Sequence, residues 1–351
     1  MKKTVATLDV IAPNLKKRVS GVTSTIMRLV PLQARSIAIA TTGPAIPADV
    51  PHVPLGDVVT MSRRGPHGRR VWHARRNNEM LAGLALKYLL GKKLALVFTS
   101  ASQREHSGYT RWLIRQMDEV VAVSTRSAQY LQRPSTVIYH GIDTDTFAPT
   151  ADKAALRRAL GLPVDGRLIG CYGRVRAQKG VDVFVDAMIA TLPAHPDAHG
   201  IVMGGTTAQH QDFLAAQQAK VAAAGLQGRI HFLPEVQPLD MPRWFQALDL
   251  YIAPQRWEGF GLTPLESMAC GVPVIATRVG AFEELILPDV TGRLVTPGDI
   301  PEMTAEIAAI LDDPAKLLRW SAACRPHVLD HFRIETEAEK LIAIYRRLLD
   351  A

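Results

Sequence analysis

The chain carries few cysteines: Cys171, Cys270 and Cys324 are all that occur in 351 residues. They lie far apart, show no metal-ligand spacing and leave an odd thiol, which argues against a disulfide framework and suits a reducing compartment. Long apolar runs are also missing, and no stretch approaches the roughly 20 residues of a membrane-spanning helix. No segment is of low complexity, and no sequence-local repeat occurs. Met1-Lys2-Lys3 resembles the start of an export signal, but Asp9 breaks the apolar run and Lys16-Lys17-Arg18 follows too soon. The sequence predicts a first β-strand there instead. With 47% hydrophobic residues, the chain is ample for two domains, each with its own core.

Charge is divided unevenly. Residues 1–163 hold 24 Lys+Arg against 10 Asp+Glu, and residues 164–351 hold the remaining 17 and 23, so a net of +14 and a net of −6 make up the overall +8. A basic half faces something anionic: nucleic acid, a phosphorylated lipid or an anionic membrane surface. The densest run, Met61 to Arg76, holds Arg63, Arg64, Arg69, Arg70, Arg75 and Arg76 with His67, His73 and Trp72. It reads as a loop leading into a helix. Such a loop could bind RNA by stacking and phosphate contacts, or an anionic lipid headgroup with Trp72 at the interface.

Strand-like and helix-like segments alternate in both halves. In the first, Thr4–Ile11, Ala34–Ala40, Lys93–Phe98, Glu119–Ser124 and Thr136–His140 read as buried parallel strands, and Arg70–Leu90 and Tyr109–Met117 as helices. A polar helix, Asp152–Leu160, and a loop from Gly161 to Gly166 mark the domain boundary. In the second, Leu168–Tyr172, Gly200–Gly204, Ile230–Phe232, Leu248–Ala253 and Val272–Thr277 read as strands. Gly180–Leu192, Thr207–Ala224, Pro238–Ala247 and Thr263–Cys270 read as helices. The fold class implied is α/β, with two doubly wound, Rossmann-like domains facing a central cleft.

The most informative segment is Glu258-Gly259-Phe260-Gly261-Leu262-Thr263-Pro264-Leu265-Glu266. An apolar strand stops at Pro254, a glycine loop follows, and a helix begins. A helix start offers backbone N–H groups and a positive dipole end, which seat a phosphate. Two carboxylates at its edges would repel that anion, so they are assigned to hydroxyl groups on either side of it. Hydroxyls, phosphates and more hydroxyls in sequence describe a nucleotide sugar. In the same half, Gly173-Arg174-Val175-Arg176-Ala177-Gln178-Lys179-Gly180 follows the first strand. Arg174 can fork onto phosphate oxygens and Lys179 supplies a point charge. Asp143-Thr144-Asp145 matches a metal-binding Asp-x-Asp pattern, but its linker position favours turn chemistry, and no metal is expected.

Arg174 and Lys179 followed by Glu258 and Glu266, in a Glu-x7-Glu pattern, resemble the retaining glycosyltransferases of the GT4 type, which have the GT-B fold. The resemblance spans nearly the whole chain. It includes Met203-Gly204-Gly205, the loop Phe232-Leu233-Pro234-Glu235-Val236, the closing segments Gly271–Thr277 and Gly292–Val295, and a last helix, Phe332–Leu349, that crosses back to the first domain. The domains it implies are 1–163 for the acceptor, 164–333 for the nucleotide sugar, and the crossing helix 334–351. It implies that Arg174 and Lys179 hold the diphosphate, with Leu262 and Thr263 capping it. Glu266 would bind the ribose and Glu258 the transferred sugar. Gly21, Gly173, Gly204, Leu233, Gly259, Phe260 and Gly261 would complete the donor site, with Ser20-Gly21-Val22 as the glycine loop of the first domain. The leaving diphosphate itself would help deprotonate the acceptor, so its stabilisation would supply most of the catalysis.

The sequence departs from the family after strand Leu94–Phe98, where many relatives carry a catalytic-site His. Here His106 lies further along the loop and is the candidate replacement, with Ser100 and Ser102 as alternative sugar contacts. His140-Gly141-Ile142-Asp143 also departs, since Asn is commoner than His at its start. The Ser-Ala-Ser-Gln-Arg loop and Ala253–Glu258 are similar to bacterial lipopolysaccharide-core mannosyltransferases. That similarity implies GDP-mannose as donor, with no further cofactor, and a phosphorylated, lipid A-linked inner-core acceptor. It also implies a cytoplasmic enzyme touching the inner face of the cytoplasmic membrane. Arg63, Arg64, Arg69, Arg70, Trp72, Arg75, Arg76 and Arg104 are the expected acceptor or membrane contacts, and no nucleic-acid partner is expected. The alternatives are a UDP-hexose donor, a nucleotide-sugar epimerase, or a non-catalytic protein that binds nucleic acid through its basic half.

Overall fold

The computed structural model describes residues 4–17 and 21–351. Met1-Lys2-Lys3, Arg18 and Ser20, which entered the export-signal and glycine-loop readings, lie outside the described residues. The first unit begins with a single 3-10 turn, Val5–Thr7, and then β1 (Val10–Pro13). The strand starts later than Thr4 because the N–H groups of Thr7 and Leu8 close back onto the carbonyls of Thr4 and Val5. There follow α1 (Gly21–Gln33), β2 (Ile39–Thr42), α2 (Leu55–Thr60), β3 (Arg70–Ala74), α3 (Asn77–Tyr88) and β4 (Leu94–Ser100). The first run ends with α4 (Gly108–Arg115), β5 (Glu119–Ala122), α5 (Thr125–Gln129) and β6 (Thr136–Val137). Among the described residues these strands make one parallel sheet in the order β2-β1-β3-β4-β5-β6.

The segment Arg70–Leu90, read as one helix, is β3 followed by α3. A short buried apolar run fits either period, and here pairing decides: β3 lies between β1 and β4, with Val71 opposite Val10 and Trp72 opposite Leu96. Burial on both faces explains the run. Val71, Ala95 and Val97 meet α1 on one side, while Trp72, Leu96 and Phe98 meet α3 and α4 on the other.

The second unit opens with α6 (Lys153–Leu160) and continues through β7 (Arg167–Tyr172), α7 (Val181–Thr191), β8 (Ala198–Met203), α8 (Gln211–Ala223) and β9 (Ile230–Leu233). The chain then runs through α9 (Met241–Gln246), β10 (Leu250–Ala253), α10 (Thr263–Ala269), β11 (Val274–Thr277), α11 (Phe282–Leu285) and β12 (Gly292–Val295). Helices α12 (Ile300–Leu311) and α13 (Pro314–His331) close it, and α14 (Ile334–Asp350) follows. Its sheet, again parallel, has the order β12-β11-β10-β7-β8-β9. Ile169, Ile252 and Ile275 of that sheet share one core with Phe184, Met303 and Trp320.

The compact units are 1–141 with 334–351, and 142–333. Tyr345 and Leu341 of α14 enter the core beneath α1. The boundary expected at 163/164 therefore falls at 141/142, because the segment before β7 is fastened to the second sheet. Arg157 donates to the Ala247 carbonyl at 2.9 Å and to Asp249 at 2.6 Å, and Lys153 reaches Asp249 at 3.0 Å. Burial pushes the Asp249 carboxyl up, but Lys153 and Arg157 outweigh it and hold the group below its ordinary range.

Each sheet has one point where chain order reverses, between β1 and β3 in the first and between β7 and β10 in the second. Loops leaving neighbouring strands there turn to opposite faces and open a crevice at the carboxyl ends of the strands, the usual ligand seat of open α/β sheets.

Candidate active site

The turn after β7 is built of close backbone contacts. Gly173 donates to the Met203 carbonyl at 2.9 Å, and Val175 donates to that of Gly205 at 3.0 Å. Gly204 has φ 156°, and a Cβ there would lie 1.8 Å from the Gly173 oxygen. Ala177–Lys179 makes a single 3-10 turn, and Gly180 (φ 72°) abuts the loop after β10 so closely that a Cβ would lie 1.8 Å from the Pro254 oxygen. Glycine is required at both places by conformation and by space.

Across the reversal point, the loop after β10 clasps that turn. Lys179 Nζ donates to Glu258 Oε2, and Gly259 N–H donates to Glu258 Oε1 at 3.0 Å. Arg256 donates from its backbone to Gln178 O at 3.0 Å and from its side chain to Ala177 O at 2.6 Å. It also forks onto Asp182, with both bonds at 2.7 Å. Gly261 (φ 88°) lies over the Phe282 ring, where a Cβ would come within 2.2 Å of it. Helix α10 then opens with Pro264 in its first turn and no side-chain cap on Leu262. Glu266 sits in that first turn, within electrostatic range of Tyr251. The Tyr251 hydroxyl donates to Tyr172 O at 3.1 Å, bonds Thr263, and is kept protonated by burial, which raises its pKa well above the ordinary value.

Gly173, Arg174, Lys179, Gly204, Leu233, Glu258, Gly259, Phe260, Gly261, Leu262, Thr263 and Glu266 therefore all lie at the carboxyl edge of the second sheet. The charges are apportioned unequally. Lys179 and Glu258 neutralise one another, whereas Arg174 is exposed and forms no ion pair among the described residues. The site can accept an anion at Arg174 and offers carboxylate oxygens to hydroxyls beside it.

The candidates of the first unit are described by themselves. Gly21 opens α1 at the reversal point of the first sheet. His106 lies between β4 and α4, where burial first and Arg104 second hold its imidazole below the ordinary pKa, and its Nε2 is buried without a hydrogen-bond partner among the described residues. Arg104 is exposed. Ser100 is buried at the end of β4 and accepts from the Ser102 N–H at 3.3 Å.

The basic run does not form one surface. Trp72, expected at a membrane interface, is 0% exposed within β3 and donates to Glu79 O at 2.8 Å. Arg70 is 1% exposed and donates to the carbonyls of Leu8 and Arg64 at 3.1 and 2.8 Å. Arg76 is buried against Asn14, Thr23 and Glu79 at 2.8, 2.9 and 2.7 Å. Arg75 is half-buried, with its N–H on Glu79 at 2.8 Å. A central strand runs through the expected loop and draws these side chains inward, so neither Trp72 nor Arg70 can touch an acceptor. Arg63 and Arg64 remain exposed and Arg69 half-buried.

Asp143 caps its own turn, its Oδ1 accepting from the Asp145 and Thr146 N–H groups at 3.1 Å each. Sequence reasoning missed the Arg256–Asp182 fork, Tyr251, and the buried Asn14–Thr23–Arg76–Glu79 cluster. Nothing in the sequence links the two members of the fork, Asp182 just after the Arg174–Gly180 turn and Arg256 just before the Glu258–Glu266 loop.

Residues 152–326 match the family model described as glycosyl transferases group 1. The chain is 50% identical over 347 residues to the lipopolysaccharide core biosynthesis mannosyltransferase LpsB of Rhizobium meliloti, covering 97% of this chain and 98% of that one. It is 47% identical over 345 residues to the lipopolysaccharide core biosynthesis mannosyltransferase LpcC of Rhizobium leguminosarum bv. viciae, covering 97% of each. Among solved structures, the Anabaena protein HepE in complex with UDP superposes with a TM-score of 0.83 over 97% of this chain and 100% of its own. At 19% identity that likeness shows the fold alone. A match running from end to end of both units, on two such sheets, settles the family: the chain belongs to the group 1 glycosyl transferases and is an enzyme of the GT-B fold.

Proposed function

We propose that this glycosyltransferase moves mannose from GDP-mannose, with retention of configuration, to a lipid A-linked inner-core acceptor of lipopolysaccharide. The sugar and the acceptor class rest on the two relatives that align end to end and are named as core mannosyltransferases. One observation carries the donor site: the Lys179–Glu258 pair beside unpaired Arg174 at the reversal point of the second sheet.

In this reading Arg174 forks onto the diphosphate, and Lys179 turns from Glu258 towards a phosphate oxygen. Glu258, so released, accepts hydrogen bonds from the mannose hydroxyls, and Glu266 accepts from the ribose. As the bond from the anomeric carbon to the diphosphate breaks, charge grows on the leaving oxygen, and Arg174 and Lys179 stabilise it. The acceptor hydroxyl attacks on the same face and gives its proton to that oxygen. No step is assigned to a metal. His106, its pKa lowered by burial and Arg104, is the first unit's candidate contact to the sugars.

The test offers GDP-mannose and UDP-glucose in parallel to the purified enzyme with core-truncated lipopolysaccharide. Transfer from GDP-mannose with an α-linkage in the product, read by NMR, is the expected result. Transfer from UDP-glucose alone would replace the mannosyl reading with a UDP-hexose one. A β-linked product would overturn retention.

A further inference from the structure

Residues 254–262, between β10 and α10, form neither helix nor strand. Gly259 and Gly261, the latter at φ 88°, loosen the backbone of this loop further. Glu258 sits within it, so contacts outside the loop must fix that carboxylate relative to the turn after β7. One such tie is Lys179, whose ammonium donates to Glu258. Arg256 makes a second. Its N–H donates to Gln178 O at 3.0 Å, and its Nη1 donates to Ala177 O at 2.6 Å. Nη1 and Nη2 also fork onto the two carboxylate oxygens of Asp182, at 2.7 Å each. Asp182 lies in the first turn of α7. One arginine therefore grips the chain on both sides of Lys179, before it at Ala177 and Gln178 and after it at Asp182. The root of the loop is pinned on its other side too, where Gln255 O accepts from Thr277 Oγ1 at 2.6 Å.

The Arg256–Asp182 pair adds little to the stability of the fold. The two side chains are 38% and 23% exposed, and ion pairs near the surface are screened by water. What the pair supplies is geometry, because a bidentate fork fixes direction as well as distance. The two ties also differ in what a donor does to them. In the reading above, the diphosphate draws Lys179 away from Glu258 just when Glu258 has to meet the sugar. Arg256, Ala177 and Asp182 take no ligand in that reading, so their tie survives.

We propose that Arg256, anchored on Asp182 and the Ala177 carbonyl, is a positioning residue: it keeps Glu258 in register with the Arg174–Lys179 turn after the donor has taken Lys179. The proposal rests on the donor reading above and deepens it. Arg256 touches neither sugar nor phosphate and acts through Glu258, two residues further on. The unliganded loop, still closed by Lys179 on Glu258, tolerates the loss of Arg256. The loaded loop does not.

The test compares wild type with Arg256→Ala, Asp182→Ala and the double variant. Three quantities are read: kcat for transfer from GDP-mannose to core-truncated lipopolysaccharide, calorimetric affinity for GDP, and the melting temperature without ligand. GDP reads the phosphate and ribose contacts without the sugar that Glu258 holds. Each single variant should lose about tenfold or more in kcat, the scale of loss when a contact is slightly misplaced. GDP affinity should stay within about threefold of wild type, and the melting temperature should hardly move. The double variant should be no slower than the slower single one, because the two residues act as a unit.

A kcat within about threefold of wild type in Arg256→Ala overturns the proposal. So do losses that multiply in the double variant, which would make the two residues independent. So does a fall in GDP affinity and melting temperature that matches the fall in kcat, which would make the fork merely structural. If Arg256→Ala folds poorly, Arg256→Lys, which keeps the charge but cannot fork, carries the same comparison. A wild type that binds no GDP and transfers no mannose fails the donor reading and this proposal with it. A full rate in Arg256→Ala beside a wild type that binds GDP fails this proposal alone.

Discussion

At the reversal point of the first sheet, Arg76 is closed in by Glu79, Asn14 and Thr23, and Glu79 also takes the Arg75 N–H. At that of the second sheet, Arg174 stands exposed, and Lys179 has one carboxylate partner beside it. The two sheets share a topology, and the same crevice is treated in opposite ways. In the first, charge is satisfied internally and its product is a fixed backbone. In the second, Arg174 is left without an ion pair among the described residues. Topology therefore says where a ligand can sit, and in the proposed reading the balance of charge at the loops selects the second crevice for an anion.

Four experiments break or sharpen that contrast. Replacing Arg174 by Ala should lower turnover about 100- to 1,000-fold, the usual loss for a donor aimed at transition-state charge. An exposed side chain should leave the melting temperature nearly unchanged, so a variant within threefold of wild type in initial rate would remove Arg174 from the mechanism. Glu79→Ala should do the reverse. It strands the buried Arg76 guanidinium, which typically costs about 3–5 kcal/mol of folding stability. Urea titration should show that loss while GDP-mannose affinity per folded molecule holds.

The carboxylates of the donor loop divide the next test. Glu266→Gln should weaken donor binding about tenfold, worth about 1.4 kcal/mol, with kcat largely kept. Glu258→Gln should lower kcat more than affinity, because it loosens both the sugar and Lys179. Identical profiles would refute the division of labour.

The smallest effect is one of pH. His73 is fully buried, with Nδ1 2.5 Å from the Tyr345 hydroxyl and Nε2 2.7 Å from Thr99 Oγ1. Burial first, and Arg75 second, hold its pKa well below the ordinary value of 6.5. The unfolded chain then binds a proton that the folded ring refuses. Stability is complete above about pH 6.5 and declines as pH falls below it, by at most about 1.4 kcal/mol per pH unit. Denaturation across that range should show this slope, and His73→Asn should flatten its share. An unchanged slope would assign the pH dependence elsewhere.

The glycine loop and the basic turn of the second unit were legible in the sequence because each is local. Glu258 to Glu266 is one loop and a helix start, and Arg174 to Lys179 is one turn; glycines marked both. Strand β3 was hidden because Arg70-Val71-Trp72-His73-Ala74 is buried on both faces and lacks alternation, so Arg70 looked like surface. Pairings at long range left no trace: Arg256 and Asp182 are 74 positions apart. The boundary was placed late because Asp152–Leu160 is polar on one side, and only Arg157 and Lys153 on Asp249 reveal that it belongs to the second sheet.

The central claim, that the second reversal point is a donor site organised around Arg174, is tested most directly by calorimetric titration of GDP-mannose into wild type and Arg174→Ala. The account predicts saturable binding to wild type, weakened at least tenfold by the substitution. Binding of equal strength in both proteins, or none in either, would contradict it.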